Sequence, residues 1–318
     1  MADSDIPQID DLREAHQLIA PHVHRTPVMH SRLLDEHTGA EIAFKCEHLQ
    51  KVGAFKARGA LYAVLSLEEE QAAAGVATHS SGNHGAALAM AAAVRGIPAH
   101  IVMPRGAPAV KKAAVQAYGG LIIECEPTQA GRIAGLEEVT AATGAHVVHP
   151  YNDARTIAGQ GTVALELLEQ VPDLDVIAVP VGGGGLLAGT AIAVKSVNPK
   201  IEVVAVEPEG ADDAFRSFGL GELQGNTRPD TIADGLRSSL GELNFAIIRK
   251  HVDTIVTVPD TVIVEAMQLQ WTRMKQVVEP SGAVSFAGLL EHPERFRGRR
   301  AGVVISGGNV DLGALPWA

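Results

Sequence analysis

Short apolar runs alternate along this chain with stretches of helical periodicity, and that alternation constrains the fold more than any single residue does. The runs Ala99–Met103, Leu121–Cys125, Val147–His149, Val176–Val181, Ile201–Val206, Thr254–Val258 and Gly302–Ser306 are predicted strands. Helical periodicity is predicted over Asp10–Ile19, Ala86–Arg95, Ala109–Tyr118, Arg132–Thr143, Gln160–Glu169, Leu186–Val197, Val262–Lys275 and Ala283–Leu290. Most of these helices begin at loops marked by Gly85, Pro108, Gly131, Gly185, Pro259 and Gly282. The pattern is that of a parallel α/β protein with helices on both faces of its sheet. At 318 residues and 46% hydrophobic content the chain can bury a large core and is long enough for two domains. No low-complexity linker and no repeat of fixed period divides it.

Charge and cysteine content narrow the ligands. The formal net charge of -11, with no basic block against it, disfavours nucleic acid and anionic membranes as partners and leaves small molecules. Cys46 and Cys125 stand in no ligand-like spacing, so neither a disulfide framework nor a zinc site is indicated and a reducing cytoplasm fits. The acidic N-terminus lacks the regions of a signal peptide, and no apolar stretch is long enough to span a bilayer. His22 and His24 form a pair with no third ligand nearby.

In open α/β sheets, ligands bind beyond the carboxyl ends of the strands, so the loops after the strands carry the functional signal. Gly182-Gly183-Gly184-Gly185 follows one predicted strand and opens a helix, where successive backbone N–H groups and the helix dipole suit a phosphate. A nicotinamide dinucleotide is the rival on this segment: Gly183, Gly185 and Ala188 fit Gly-x-Gly-x-x-Ala, and Glu207 ends the next strand where a ribose acid belongs. Ser80-Ser81-Gly82-Asn83-His84-Gly85 offers hydroxyl, amide and imidazole groups at a helix start, though a serine turn that only caps the helix has the same appearance. Lys56, in Gly53-Ala54-Phe55-Lys56-Ala57-Arg58-Gly59-Ala60, follows an aromatic residue among small ones. Burial lowers a lysine's pKa and makes its amine nucleophilic, as covalent attachment to an aldehyde requires. The three together fit pyridoxal 5'-phosphate: aldehyde to Lys56, phosphate to the glycines, ring hydroxyl to Asn83.

At these motifs the chain resembles the fold-type II pyridoxal phosphate enzymes, in the serine racemase and threonine (serine) dehydratase group, and is similar there also to the 3-hydroxyaspartate dehydratases. Gly-Gln-Gly-Thr at Gly159–Thr162, Val-Gly-Gly-Gly-Gly-Leu at Val181–Leu186 and Ser-Gly-Gly-Asn at Ser306–Asn309 complete five motifs in family order over nearly the whole chain. The resemblance implies a tryptophan synthase β-like fold of two open three-layer αβα domains with mostly parallel sheets. A large cofactor domain would take 1–75 and 150–318, a small mobile domain 76–149, and the chain would form a homodimer.

By the same resemblance, Lys56 would hold the cofactor and act as base on one face of the substrate Cα. Phe55 would pack on the cofactor ring, Asn83 bind its hydroxyl, Gly182, Gly183, Gly184 and Gly185 its phosphate, and Ser306 its pyridine nitrogen. A hydroxyl partner does not force a proton onto that nitrogen, so the cofactor is a weaker electron sink, which suits elimination of water and proton return to Cα rather than transamination. Ser81 would face the side of Cα opposite Lys56, and racemisation needs an acid and a base on opposite faces. The amino-acid carboxylate would sit on Ser80, Ser81, Gly82, Asn83 and His84, Arg132 would reach a second carboxylate, and Ser238 would close the substrate end. Glu207, the Ala211 carbonyl and Asp213 would hold magnesium or calcium away from the chemistry, as hard oxygen ligands do.

Departures from the family pattern carry expectations too. Ala54 stands where Ser or Thr usually precedes Phe-Lys, and Ala86 where racemase-like relatives often have Gln, against nucleotide activation. The sequence ends soon after Ser-Gly-Gly-Asn, with no room for a C-terminal regulatory domain, so isoleucine feedback is not expected. The expected activity is a lyase converting small L-β-hydroxy amino acids to 2-oxo acids and ammonia, with serine racemisation as a coupled or principal activity and 3-hydroxyaspartate as a further substrate.

Overall fold

The structure, a computed structural model, describes residues 6–80, 82–107, 109–226 and 228–317. Its strands are β1 (Val28–Met29), β2 (Glu41–Cys46), β3 (Val76–His79), β4 (Ala99–Pro104), β5 (Leu121–Cys125), β6 (His146–Val147), β7 (Val176–Pro180), β8 (Glu202–Pro208), β9 (Thr254–Val258) and β10 (Arg300–Ile305). The helices are α1 (Ile9–Ile19), α2 (Arg32–Thr38), α3 (Lys56–Leu65), α4 (Glu69–Ala72), α5 (Asn83–Arg95), α6 (Ala109–Ala117), α7 (Gln129–Thr143), α8 (Ala154–Gln170), α9 (Gly185–Val197), α10 (Asp213–Leu220), α11 (Glu242–His251), α12 (Asp260–Leu269) and α13 (Pro280–Glu291).

Two sheets result. One has the order β1-β2-β10-β7-β8-β9, parallel except for the β1–β2 pair, and the other has the order β5-β4-β3-β6, parallel throughout. β7 is buried at every position, as a parallel strand covered by helices must be. α9 and α13 pack against that sheet, and α3, α5, α8 and α9 pack on one another. In each sheet one loop opens where neighbouring connections run in opposite directions: after β3, which lies between β4 and β6, and after β7, which lies between β10 and β8. Such switch points are where open α/β sheets bind ligands.

Sequence periodicity missed β1, β2, β3, α2, α3, α4, α10 and α11, placed β6 at 147–149 where the strand is His146–Val147, and drew the helix at 262–275 too simply. α12 ends at Leu269 and continues as a π-helical turn, Gln270–Met274, which stops at Lys275 with φ +60°. No helix among the described residues is long and apolar enough to cross a membrane.

Candidate active site

Lys56 opens α3, and its position is fixed from both sides. The Phe55 N–H donates to the Ser306 carbonyl (3.0 Å), and Ala54 bridges Gly307, which ties the lysine loop to the end of β10. On the other side α3 crosses α8 with almost no space between them: a Cβ on Gly159 would lie 2.7 Å from the Gly59 Cα, and one on Gly59 2.7 Å from the Thr156 carbonyl. Glycine is required at both places because the backbones themselves meet.

Below α3 lies a buried charge cluster that periodicity could not show. Arg58 donates to both oxygens of Glu47 (2.8 and 2.8 Å) and both of Glu166 (2.8 and 2.9 Å), and reaches Thr162 Oγ1 (3.3 Å) and the His24 carbonyl (3.4 Å). Lys45 Nζ donates to Glu166 Oε2 (2.7 Å), the Thr26 carbonyl and Gln170 Oε1 (both 2.9 Å). Two cations face two carboxylates, all with their hydrogen-bonding capacity engaged, which is the condition for burying charge at tolerable cost.

The Lys56 amine donates to the Pro150 carbonyl (2.8 Å) and stands 5.1 Å from the Phe55 ring centroid. Burial pushes its pKa down to about 8, which makes the free amine accessible near neutrality. Around it gather His84, His149 and His79. His84, on the first turn of α5, is 3% exposed and donates from Nε2 to the Val148 carbonyl (3.3 Å), and its buried Nδ1 has no partner among the described residues. Burial first, then Lys56, holds the His84 pKa well below the usual histidine value. His79 is likewise lowered by burial and by the charge of Arg132. The Lys56 amine and the Arg132 guanidinium favour an anionic ligand here, and the neutral imidazoles offer it N–H groups.

The glycine loop supplies a second anion site. Gly182–Gly185 are buried, and among the described residues none of their backbone N–H groups has a hydrogen-bond acceptor. Buried N–H groups are costly to leave unpaired, so four at a helix start fit a phosphate. Gly184 takes φ +93° to point the loop inward. The backs of the glycines are closed: a Cβ on Gly183 would meet the Tyr151 ring at 2.4 Å, and one on Gly184 would meet Leu240 at 2.6 Å. Asn244 Nδ2 donates to the Gly183 carbonyl (2.6 Å) and the Tyr151 carbonyl (3.1 Å).

The remaining expected residues fall as follows. Asn83 Nδ2 donates to Glu279 Oε1 (2.9 Å), and its Oδ1 accepts from Asn309 (2.9 Å). Glu279, which the sequence did not single out, also accepts from the Asn309 N–H (3.0 Å), and burial pushes its pKa up to about 8. Ser306 is 3% exposed and donates to the Ser281 carbonyl (3.3 Å). Ser80 Oγ accepts from the Gly82 N–H (3.3 Å). Arg132 lies in the first turn of α7 with its buried Nε unpartnered among the described residues. Ser238 is exposed and lies near Tyr151. Ser81 lies outside the described residues.

Glu207 and Asp213 sit apart, beyond β8. Glu207 is fully buried and caps α10, accepting from the Ala214 (3.0 Å) and Phe215 (2.8 Å) N–H groups. That geometry overturns the dinucleotide reading, because no ribose can reach a carboxylate turned into a helix start. Asp213 accepts from the Leu240 N–H (2.7 Å), and its buried Oδ1 has no partner among the described residues. Burial raises both pKa values, and for Glu207 the charge of Asp213 adds to burial and takes it to about 9. Two buried carboxylates with a free oxygen, beside the buried Ala211, suit a hard divalent cation. Among the described residues no three His, Cys, Asp or Glu side chains cluster as ligands, so the expected set depends on a backbone carbonyl.

Comparison with known proteins matches the same framework. The model of a family described as pyridoxal-phosphate dependent enzyme covers residues 19–307. The chain is 51% identical over 312 residues to a β-hydroxyaspartate dehydratase of Paracoccus denitrificans (strain Pd 1222), spanning 98% of this chain and 99% of that protein. It is 50% identical over 309 residues to a serine racemase of Arabidopsis thaliana, spanning 96% and 93%. The solved structure of maize serine racemase superposes with a TM-score of 0.95 at 49% identity, covering 96% of this chain and 95% of that one.

Proposed function

We propose that this chain, which belongs to the pyridoxal-phosphate-dependent enzymes, is an ammonia-lyase for small β-hydroxy amino acids that also inverts serine. The observation that carries the reading is the segment 148–152, which joins the two halves of the site. Its Pro150 carbonyl holds the Lys56 amine, and its Tyr151 ring closes the back of the glycine loop.

Lys56 would carry the aldehyde, Gly182–Gly185 would hold the phosphate, Asn83 the ring hydroxyl and Ser306 the pyridine nitrogen. When bound, pyridoxal 5'-phosphate supplies the electron sink that acidifies the substrate Cα–H. The Lys56 amine, with its lowered pKa, takes that proton. The Ser80–His84 loop and the positive end of α5 receive the substrate α-carboxylate. The β-hydroxyl leaves with a proton as water, and the enamine then takes up water to give a 2-oxo acid and ammonia. Ser81 returns a proton to the opposite face of Cα, the step that separates inversion from elimination.

Arg132 favours a second reading of substrate, 3-hydroxyaspartate, because its unpartnered Nε offers a charged donor for a distal carboxylate. A relative that is named a β-hydroxyaspartate dehydratase supports it. Glu207, the Ala211 carbonyl and Asp213 are proposed to hold magnesium or calcium. The separate sheets support a division into a large domain, 1–75 with 150–318, and a small one, 76–149. Cys46 and Cys125, free and buried, support a reducing cytoplasm.

The test is product analysis with L-serine, D-serine, L-threonine and 3-hydroxyaspartate, following 2-oxo acid and enantiomer together. Absence of both products from every substrate would sink the assignment. Ser81→Ala is expected to abolish serine inversion and spare elimination; equal loss of both removes Ser81 from its role.

A further inference from the structure

His149 has no part in the chemistry above, yet it stands at the centre of the segment that joins the site. Its Nδ1 accepts from two backbone N–H groups, Asn152 at 2.9 Å and Tyr151 at 3.3 Å. A ring nitrogen that accepts carries no proton, so this imidazole is neutral with its hydrogen on Nε2. One side-chain atom gathering the N–H groups two and three residues on folds the backbone into a tight turn, as Asn and Asp side chains do.

Three contacts depend on that turn. The Pro150 carbonyl faces the Lys56 amine at 2.8 Å. The Tyr151 ring, edge-on to the imidazole with centroids 4.6 Å apart, lies behind Gly183. Asn152 Oδ1 accepts from the Leu243 N–H (3.0 Å), which secures the start of α11 to the same turn. The surroundings keep the imidazole neutral: burial, His79 and Lys56 together hold its pKa down at about 4 against the opposing charge of Asp153.

We propose that His149 is a positioning residue for Lys56: its unprotonated Nδ1 folds the 149–152 turn, which sets the Lys56 amine and the glycine loop relative to each other. The proposal rests on the reading of Lys56 as the amine that carries the cofactor.

The test compares His149→Leu and His149→Asn with the unsubstituted full chain. Leucine removes the acceptor, whereas asparagine returns an oxygen that can reach the same N–H groups. Two readouts are followed: the rate at which Lys56 captures added pyridoxal 5'-phosphate, as borohydride-fixed mass on the Lys56 peptide, and hydrogen exchange at the amides of Tyr151 and Asn152. Two hydrogen bonds of about 1 kcal/mol net each correspond to roughly 30-fold slower capture and faster exchange in His149→Leu. His149→Asn is expected to recover most of that loss in both readouts, and kcat to fall in His149→Leu with KM little changed. Original rates in His149→Leu, or equal impairment of both variants, overturn the proposal. If His149→Leu does not fold, the imidazole nitrogen resonances of the unsubstituted protein decide at pH 7: the Nε2–H tautomer sustains the assignment and a protonated Nδ1 ends it. A chain in which Lys56 captures no cofactor would refute the lysine's role instead, and amide exchange would still judge His149.

Discussion

Replacing Arg58 with methionine tests whether the buried charge cluster beneath the lysine helix holds the molecule together as its geometry implies. The guanidinium is fully buried, as is Glu47, and Glu166 is 2% exposed. Arg58→Met leaves those two carboxylates with Lys45 alone, and Lys45 reaches only Glu166 directly. Deleting one partner of a buried pair costs about 3–5 kcal/mol, because the other charge stays out of water without compensation. With an unfolding entropy of about 2.1 cal/mol/K per residue, 318 residues give about 0.67 kcal/mol/K, so Tm should fall by about 4–8 °C. The assay is calorimetric unfolding at fixed, saturating cofactor, since a ligand bound to the native state raises Tm by mass action. Adding Glu47→Gln to Arg58→Met should recover part of the loss, and Arg58→Lys should fall between, keeping the charge without the two-pronged geometry. A Tm for Arg58→Met within about 1 °C of the original would refute the reasoning, because it would mean that the carboxylates are relieved by some other route.

Two further outcomes follow from the site. Gly183→Ala puts a Cβ 2.4 Å from the Tyr151 ring; relieving that overlap should cost about 1–3 kcal/mol and weaken cofactor affinity by roughly 5- to 150-fold, read by absorbance titration. Unchanged affinity would show that the tyrosine does not back the phosphate loop. In metal-free protein, Glu207 keeps its proton in the folded state up to about pH 9 but loses it near its ordinary value when unfolded. The folded state therefore binds more protons between those values, and stability should decline as pH rises through that window. Added calcium or magnesium should flatten the decline and raise Tm near pH 8, and Glu207→Gln should remove the cation's effect. A pH profile indifferent to cation in the unsubstituted chain would discard the metal assignment.

The sequence was most legible where structure is local and continuous. β7 and the middle of β8 read as strands because they are unbroken apolar runs, and β9 because it is a run of Thr, Ile and Val. β2 did not, because Lys45, a buried cation, interrupts its apolar run and acquires its meaning only from Glu166, 121 residues away. α3 was hidden for the same reason: Lys56 and Arg58 look like solvent-facing charges, and Gly59 like a break, until α8 arrives against them. The glycine loop and Phe55-Lys56 were visible as unbroken motifs. Tyr151, Glu279 and Asn244 were not, since each works against residues far away in the chain, and His149 was not, because an imidazole that folds its own local turn leaves no spacing to read.

The order of strands in the larger sheet has a consequence for the newborn chain. β10, the last strand of this sheet in chain order, inserts between β2 and β7, and the Ser306 carbonyl that receives the Phe55 N–H comes with it. At about 5–20 residues per second, roughly 12–50 seconds separate the synthesis of Lys56 from that of Ser306. Throughout that interval the Lys56 loop lacks the strand that supports it. A chain that stops before β10 therefore contains Lys56 but not the strand that holds its loop in place.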